Sequence, residues 1–308
     1  MVKTLKKHKL LLLHIAALLL LAGLAVEFAE EIQTAKKAVY YMLHPVPVPG
    51  APDDQITLYP VENDGNEWFL EHPLIYHAGG EIHGSSYTNS LEAVEKTLAE
   101  HPDKCFIEID LTHTSDGALV CVHNWGDAFW GQTEAPTLEE FLSRKIQGKY
   151  TPLTGERLMQ IMAENPHMYL VTDIKTETDP IAPIIGELVE LCGRDESVLS
   201  RLIIQLYTGR EKPEILEVYP FDDDQFIFTT YKWGVWQHEV AQICNEENIS
   251  VMAVPHGEMS DADAALMKEL GFTVYEFTVN RADAAQAALN RGISGFYTDD
   301  LVPADLVQ

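Results

Sequence analysis

Glu108 and Asp110 stand two positions apart in the apolar run Cys105-Phe-Ile-Glu-Ile-Asp-Leu, and His123 follows after a turn signal. Alternate side chains of a strand point the same way, so this run, read as a strand, puts both carboxylates on one face. Asp116-Gly117 is a two-residue hairpin signal followed by the β-rich Ala-Leu-Val-Cys-Val-His. A turn centred on that pair sets Asp110 directly across from His123, with Cβ atoms about 5 Å apart. Carboxylate oxygens suit hard cations, and an imidazole titrates near neutrality. Such groups on half-buried strands are costly to desolvate without a partner, which marks the hairpin base, together with His77 upstream, as a candidate site.

The elements that must position these residues alternate. Strand candidates are Leu74–His77, Cys105–Asp110, Met168–Ile174, Leu202–Leu206, Phe226–Thr230, Ser250–Val254, Thr273–Phe277 and Gly295–Thr298. Helix candidates between them include Ser90–Glu100, Ile181–Cys192, Val235–Glu247, Asp261–Leu270 and Ala282–Asn290. Eight βα repeats within residues 73–308 predict an α/β fold, a closed (β/α)8 TIM barrel with its active site at the C-terminal ends of the strands. The Asp116-Gly117 hairpin then projects above the rim, and Asn124–Thr154 is an insertion on the same rim. His77 ends the first strand, Glu108 and Asp110 the second, Asp173 and Lys175 the third, and Gln205 the fourth. Any one of them could cap a helix; their joint placement at successive strand ends is what a barrel active site requires.

At this point the chain resembles the glycerophosphodiester phosphodiesterases of the phospholipase C-like phosphodiesterase superfamily. The matching elements are His77-Ala-Gly79, Tyr87-Thr-Asn-Ser90, Ile107-Glu-Ile-Asp110, Asp116-Gly117 through His123-Asn124, Asp173-Ile-Lys175, Phe277-Thr-Val-Asn280 and Thr298-Asp299. The resemblance implies that His77 and His123 act as general acid and base. It implies that Glu108, Asp110 and Asp173 hold one divalent cation, Mg²⁺ or Ca²⁺, and that Lys175 binds the phosphoryl group; Gln205 is a candidate substrate contact from its strand-end position alone. The implied reaction is hydrolysis of a glycerophosphodiester to glycerol 3-phosphate and an alcohol. Four positions depart from the family pattern: Ala78 stands in place of an arginine, Thr88 of a glutamate, Asp173 of a glutamate and Asn124 of an aspartate. Loss of the arginine removes a fork of donors that matches phosphate bidentately. Competing readings are a sphingomyelinase D-like or phosphoinositide-type phosphodiesterase and a non-catalytic displayed barrel. A metal-dependent amidohydrolase would present paired histidines at an early strand end, which His77-Ala78-Gly79 lacks.

With 48 acidic against 21 basic residues the net charge of -27 excludes nucleic acid as a partner over most of the surface and favours hard cations. Lys3, Lys6, Lys7 and Lys9 precede an apolar run from Leu10 to Val26, which predicts an N-terminal signal anchor over residues 1–45 with the remainder outside the cytoplasm. Such a chain is single-pass at the cell membrane, or secreted if the small residues Gly23-Leu-Ala25 are a cleavage site. Residues 46–72 begin with a proline-rich stretch and read as a linker; residues 73–308 are the domain that meets a small phosphodiester or lipid-derived substrate. The four cysteines are expected as free thiols. Trp125, Phe129 and Trp130 could wall the pocket or form a small core of the insertion; His83 and His113 read as solvated loop histidines, and His256 and Glu258 as a solvated loop pair on the rim, with contact to substrate the alternative.

Overall fold

The structure, a computed structural model, describes residues 60–61, 67–174, 180–231 and 233–306. The residues expected to form the anchor, 1–45, lie outside these, and so does Lys175. Among the described residues no helix is long and apolar enough to cross a membrane.

Nine strands form one sheet: β1 Leu74–Tyr76, β2 Cys105–His113, β3 Leu119–Cys121, β4 Met168–Ile174, β5 Leu202–Leu206, β6 Phe226–Thr229, β7 Val251–Pro255, β8 Thr273–Phe277 and β9 Gly295–Thr298. Their order is β1-β9-β8-β7-β6-β5-β4-β2-β3, and the pairing of Tyr76 with Ile107 closes β1 onto β2. Every pairing except β2–β3 is parallel, so eight strands make a TIM barrel and β3 is an antiparallel flap on β2. The helices are α1 Leu91–Glu100, α2 Trp125–Ala128, α3 Leu138–Ser143, α4 Gly155–Glu164, α5 Ile181–Leu191, α6 Glu196–Leu199, α7 Glu211–Val218, α8 Trp233–Glu246, α9 Asp261–Glu269 and α10 Ala282–Arg291. Ser90 and Thr154 accept backbone N–H bonds at the starts of α1 and α4, satisfying donors that a helix leaves open at its N-terminus.

Strand parity decides what points where. Ile107 and Ile109 of β2 and Leu170 of β4 belong to the layer that packs with helix residues such as Leu158, Ile184 and Leu188. The alternate residues Ile75, Phe106, Val171, Ile203, Ile227, Val251, Tyr275 and Tyr297 form a separate cluster, the barrel interior. Glu108 and Asp110 share Phe106's parity, Asp173 that of Val171, and Gln205 that of Ile203, so all four belong to the interior face near the strands' C-terminal ends. The opposite end is closed by Trp68 and Phe69, within the stretch expected to be linker. Trp68 stacks on Phe106 at 4.7 Å and its indole N–H donates to the Asp224 carbonyl at 2.8 Å, so the folded region starts before Pro73.

The β2–β3 hairpin differs from the expected one. The loop is three residues, Ser115 to Gly117, because Thr114 N–H donates to the Ala118 carbonyl at 2.9 Å and Gly117 takes φ +83°. A left-handed glycine at the end of a three-residue loop shifts the register by one place. Leu111 therefore pairs with Cys121, and Val122, not His123, lies across from Asp110. β2 also runs to His113 rather than ending at Asp110. The insertion after it has its own core of Phe129, Phe141, Ile146 and Tyr150 against Val120 and Val122, while Trp130 is exposed. Phe129 thus belongs to a miniature core and not to a pocket wall. The cysteines are free.

Candidate active site

β2 and β4 lie side by side with Asp110 and Asp173 in register, which brings carboxylates from neighbouring strands to the same height. Glu108, one interior position below, completes a buried triad in which one oxygen of each residue lies within 4.8 Å of the others. One oxygen of each is held by a specific donor. Ala78 N–H donates to Glu108 Oε2 at 2.7 Å, Asn89 Nδ2 donates to Asp110 Oδ2 at 2.8 Å, and the Tyr207 hydroxyl donates to Asp173 Oδ1. Glu108 Oε1, by contrast, is buried with no hydrogen-bond partner among the described residues. Burial and then the neighbouring Asp110 push the Glu108 carboxyl up to about 8. A buried oxygen without a donor, among like charges, is what a divalent cation would satisfy. Three carboxylates are the hard oxygen donors that Mg²⁺ and Ca²⁺ take, so the residues fit such an ion.

His77 follows β1 directly and adjoins the triad. Its Nδ1 lies 2.9 Å from Asp299 Oδ1 at the end of β9. Asp299 is held in turn by Asn280, whose Nδ2 donates to Oδ2 at 2.6 Å and whose Oδ1 accepts from the Asp299 backbone N–H at 2.8 Å. Burial alone would strip His77 of its proton. The Asp299 hydrogen bond, with Glu108 and Asp110 nearby, overrides it and raises the imidazole to about 9. With Nδ1 committed to Asp299, Nε2 is the nitrogen left for proton transfer.

His123 reaches the site from the loop beyond β3 instead of from the ladder. Its Nδ1 lies 2.9 Å from Asp127 Oδ2, and Asn124 Nδ2 donates to the same oxygen at 2.5 Å. Asn124 also caps α2, accepting from Asp127 N–H at 2.9 Å, and so fixes where Asp127 sits. Each histidine therefore has a carboxylate at Nδ1. The two are joined through one side chain: the Tyr87 ring lies edge-on to His77 at 4.4 Å and to His123 at 5.0 Å.

Gln205 is buried in the interior, where its Oε1 accepts from the hydroxyls of Thr229 and Tyr297, both at 2.8 Å; its NH₂ is the end able to donate elsewhere. His256 lies against Glu276 at 2.5 Å, and Arg291 bonds the other oxygen of that fully buried carboxylate at 2.8 Å, so an exposed imidazole and a partly exposed guanidinium hold one buried carboxylate at this corner. His113 pairs with Glu187 on the outer side.

No family model matches the sequence, and no curated protein matches it. Solved structures do. A glycerophosphoryl diester phosphodiesterase of Parabacteroides distasonis is similar at TM-score 0.56 and 19% identity, over 81% of this chain and 92% of its own. An Oleispira antarctica phosphodiesterase in complex with the product sn-glycerol-3-phosphate matches at TM-score 0.56 and 14% identity, over 74% and 93%. The Thermotoga maritima glycerophosphodiester phosphodiesterase matches at 0.51 and 18%, over 73% and 93%. The fold is that of the glycerophosphodiester phosphodiesterases. At these identities the likeness is one of fold, and the resemblance read from the motifs is borne out at that level.

Asp127 and Tyr207 are site residues that the sequence reading missed, and Tyr87, Asn280 and Asp299 were seen as motif letters without a role. Asp127 carried a signal, four places after His123 on a helical turn. Tyr207 carried none, since a single tyrosine in a loop is mute until its neighbours are known.

Proposed function

We propose that the barrel is a divalent-cation-dependent phosphodiester hydrolase acting on glycerophosphodiesters and releasing glycerol 3-phosphate and an alcohol. The observation that carries the reading is the convergence of three buried carboxylates, with an undonated Glu108 oxygen, beside two histidines each backed by a carboxylate. A cation held by Glu108, Asp110 and Asp173 would offset charge on the phosphoryl oxygens and lower the pKa of a bound hydroxyl. His77, charged and oriented by Asp299, is suited to protonate the leaving alkoxide from Nε2. His123, oriented by Asp127 on the other side of Tyr87, is suited to take the proton from the attacking hydroxyl. In the scheme the resemblance implies, that hydroxyl is the substrate's own glycerol hydroxyl, and water opens the resulting cyclic phosphate.

Gln205 belongs to the substrate side of this proposal through its NH₂ group, and Lys175 through its position next to Asp173 in sequence. Attachment through an N-terminal anchor, with the barrel outside the cytoplasm, is part of the same proposal and rests on the Lys-flanked apolar run. The test is release of glycerol 3-phosphate from a panel of glycerophosphodiesters by the full chain, with and without Mg²⁺ or Ca²⁺. Cation-dependent release is expected. A folded protein that binds the cation and releases it from none of them contradicts the proposal, and turnover of sphingolipid or inositol-lipid diesters instead would favour those neighbouring activities.

A further inference from the structure

Position 87 is odd on three counts. The residue is a bulky tyrosine at φ +55°, a left-handed conformation that L side chains rarely adopt. Two places on, Asn89, itself at φ +45°, clamps the loop to the carboxylate strand: its Nδ2 donates to Asp110 Oδ2 at 2.8 Å, and its Oδ1 accepts from Asp110 N–H at 3.0 Å. The loop is also tied to position 78, since Asn89 N–H donates to the Ala78 carbonyl at 3.0 Å. Strained backbone persists only where its surroundings over-determine it, and it concentrates at functional sites. Here the strain delivers one aromatic ring between the two imidazoles.

We propose that Tyr87 is a substrate-contacting residue whose hydroxyl donates to the phosphoryl group, supplying the neutral donor that no side chain at position 78 provides. The inference rests on the phosphodiesterase reading. Ala78 offers only its N–H, which is spent on Glu108 at 2.7 Å. A hydrogen bond joins the phenol to the Thr278 side chain, and the phenol carries one proton of its own to give. Burial and the Asp299, Asp110 and Glu108 carboxylates keep that proton on the oxygen at working pH. The phenol therefore lies within the field of the carboxylate cluster, and its ring lies against both histidines, which in the proposed reaction flank the phosphoryl group. A neutral donor there adds a hydrogen bond to an anion without a further charge, and an interaction of that kind commonly carries a ten-fold or larger effect.

The experiment compares the full chain with its Tyr87→Phe and Thr278→Val forms, loaded with Mg²⁺ or Ca²⁺, and measures affinity for inorganic phosphate and glycerol 3-phosphate by calorimetry beside KM and kcat. Tyr87→Phe keeps the ring and should fold and bind the cation as the parent does. Its phosphate affinity should fall about ten-fold and its KM rise in proportion, with kcat within about three-fold. Thr278→Val should move the same quantities in the same direction by less. Unchanged phosphate affinity in Tyr87→Phe would overturn the inference and leave the ring a spacer. A parent that turns over no diester, with the phosphate difference intact, would count against the substrate reading and still support Tyr87 as a phosphate donor.

Discussion

At the scale of the residue, two histidines that share a ring neighbour are not equivalent. His77 is largely buried, at 12% exposure, beside the carboxylates and held by Asp299, whereas His123 is 30% exposed and lies against Asp127. Replacing either with alanine should lower kcat by about 10² to 10⁴ while leaving cation affinity intact, as a loss of general acid–base catalysis does. Retention of full turnover in both would remove them from the mechanism. Asp299→Asn should act through His77, shifting the pH profile of turnover more than KM. The cation-free protein makes a prediction with a sign. Glu108 is raised from 4.5 to about 8 and His77 from 6.5 to about 9, so both bind more protons folded than unfolded. The Glu108 contribution to stability is fully present below about 4.5 and is lost as pH rises through about 8; that of His77 is present below 6.5 and lost through about 9. Thermal melts of stripped protein should therefore show these groups lowering Tm from about pH 5.5 to about pH 8.5. The Tm gained on adding Mg²⁺ or Ca²⁺ should be larger at the higher pH, because the ligands must lose their protons. A larger gain at the lower pH would contradict the carboxylate site.

At the scale of the element, the barrel strands were legible because each is a short apolar run between turn residues, and four of them match the expected bounds: Met168–Ile174, Leu202–Leu206, Thr273–Phe277 and Gly295–Thr298. The hairpin was misjudged by one residue. Asp116-Gly117 signals a turn but does not say whether the loop holds two residues or three, and only the Thr114–Ala118 pairing decides it. The approach of His123 followed from that register and could not be read locally. Nor could the closure by Trp68 and Phe69, which depends on contacts with Phe106 and Tyr275 far along the chain. Packing between elements yields a sharp test at Gly295, where a Cβ would lie 2.4 Å from the Tyr275 ring and 2.7 Å from the Pro73 carbonyl. Gly295→Ala should destabilise the barrel by roughly 1–3 kcal/mol through overpacking, measured by denaturant titration. Gly117→Ala, with open space around it but φ +83°, should cost about 1 kcal/mol by backbone strain alone. Equal costs at the two positions would mean that Tyr275 yields.

At the scale of the whole molecule, a net charge of -27 surrounds an interior that gathers yet more carboxylates at one rim. Self-repulsion of that size is relieved by cations, and specific binding at the triad should raise Tm with ion concentration as mass action requires. Glu108→Gln should abolish that dependence while leaving the weaker, salt-like response of the surface acids. The parallel barrel also explains why seven short motifs scattered along the chain describe a single site: strand ends distant in sequence are neighbours around one rim. The most direct measurement is phosphorus NMR of a glycerophosphodiester incubated with the full chain, stripped of cation and then supplied with Mg²⁺ or Ca²⁺, beside His77→Ala. The account predicts a glycerol 3-phosphate resonance that grows only with cation and wild-type histidine. An unchanged diester in the presence of bound cation, or equal product with His77→Ala, would contradict it.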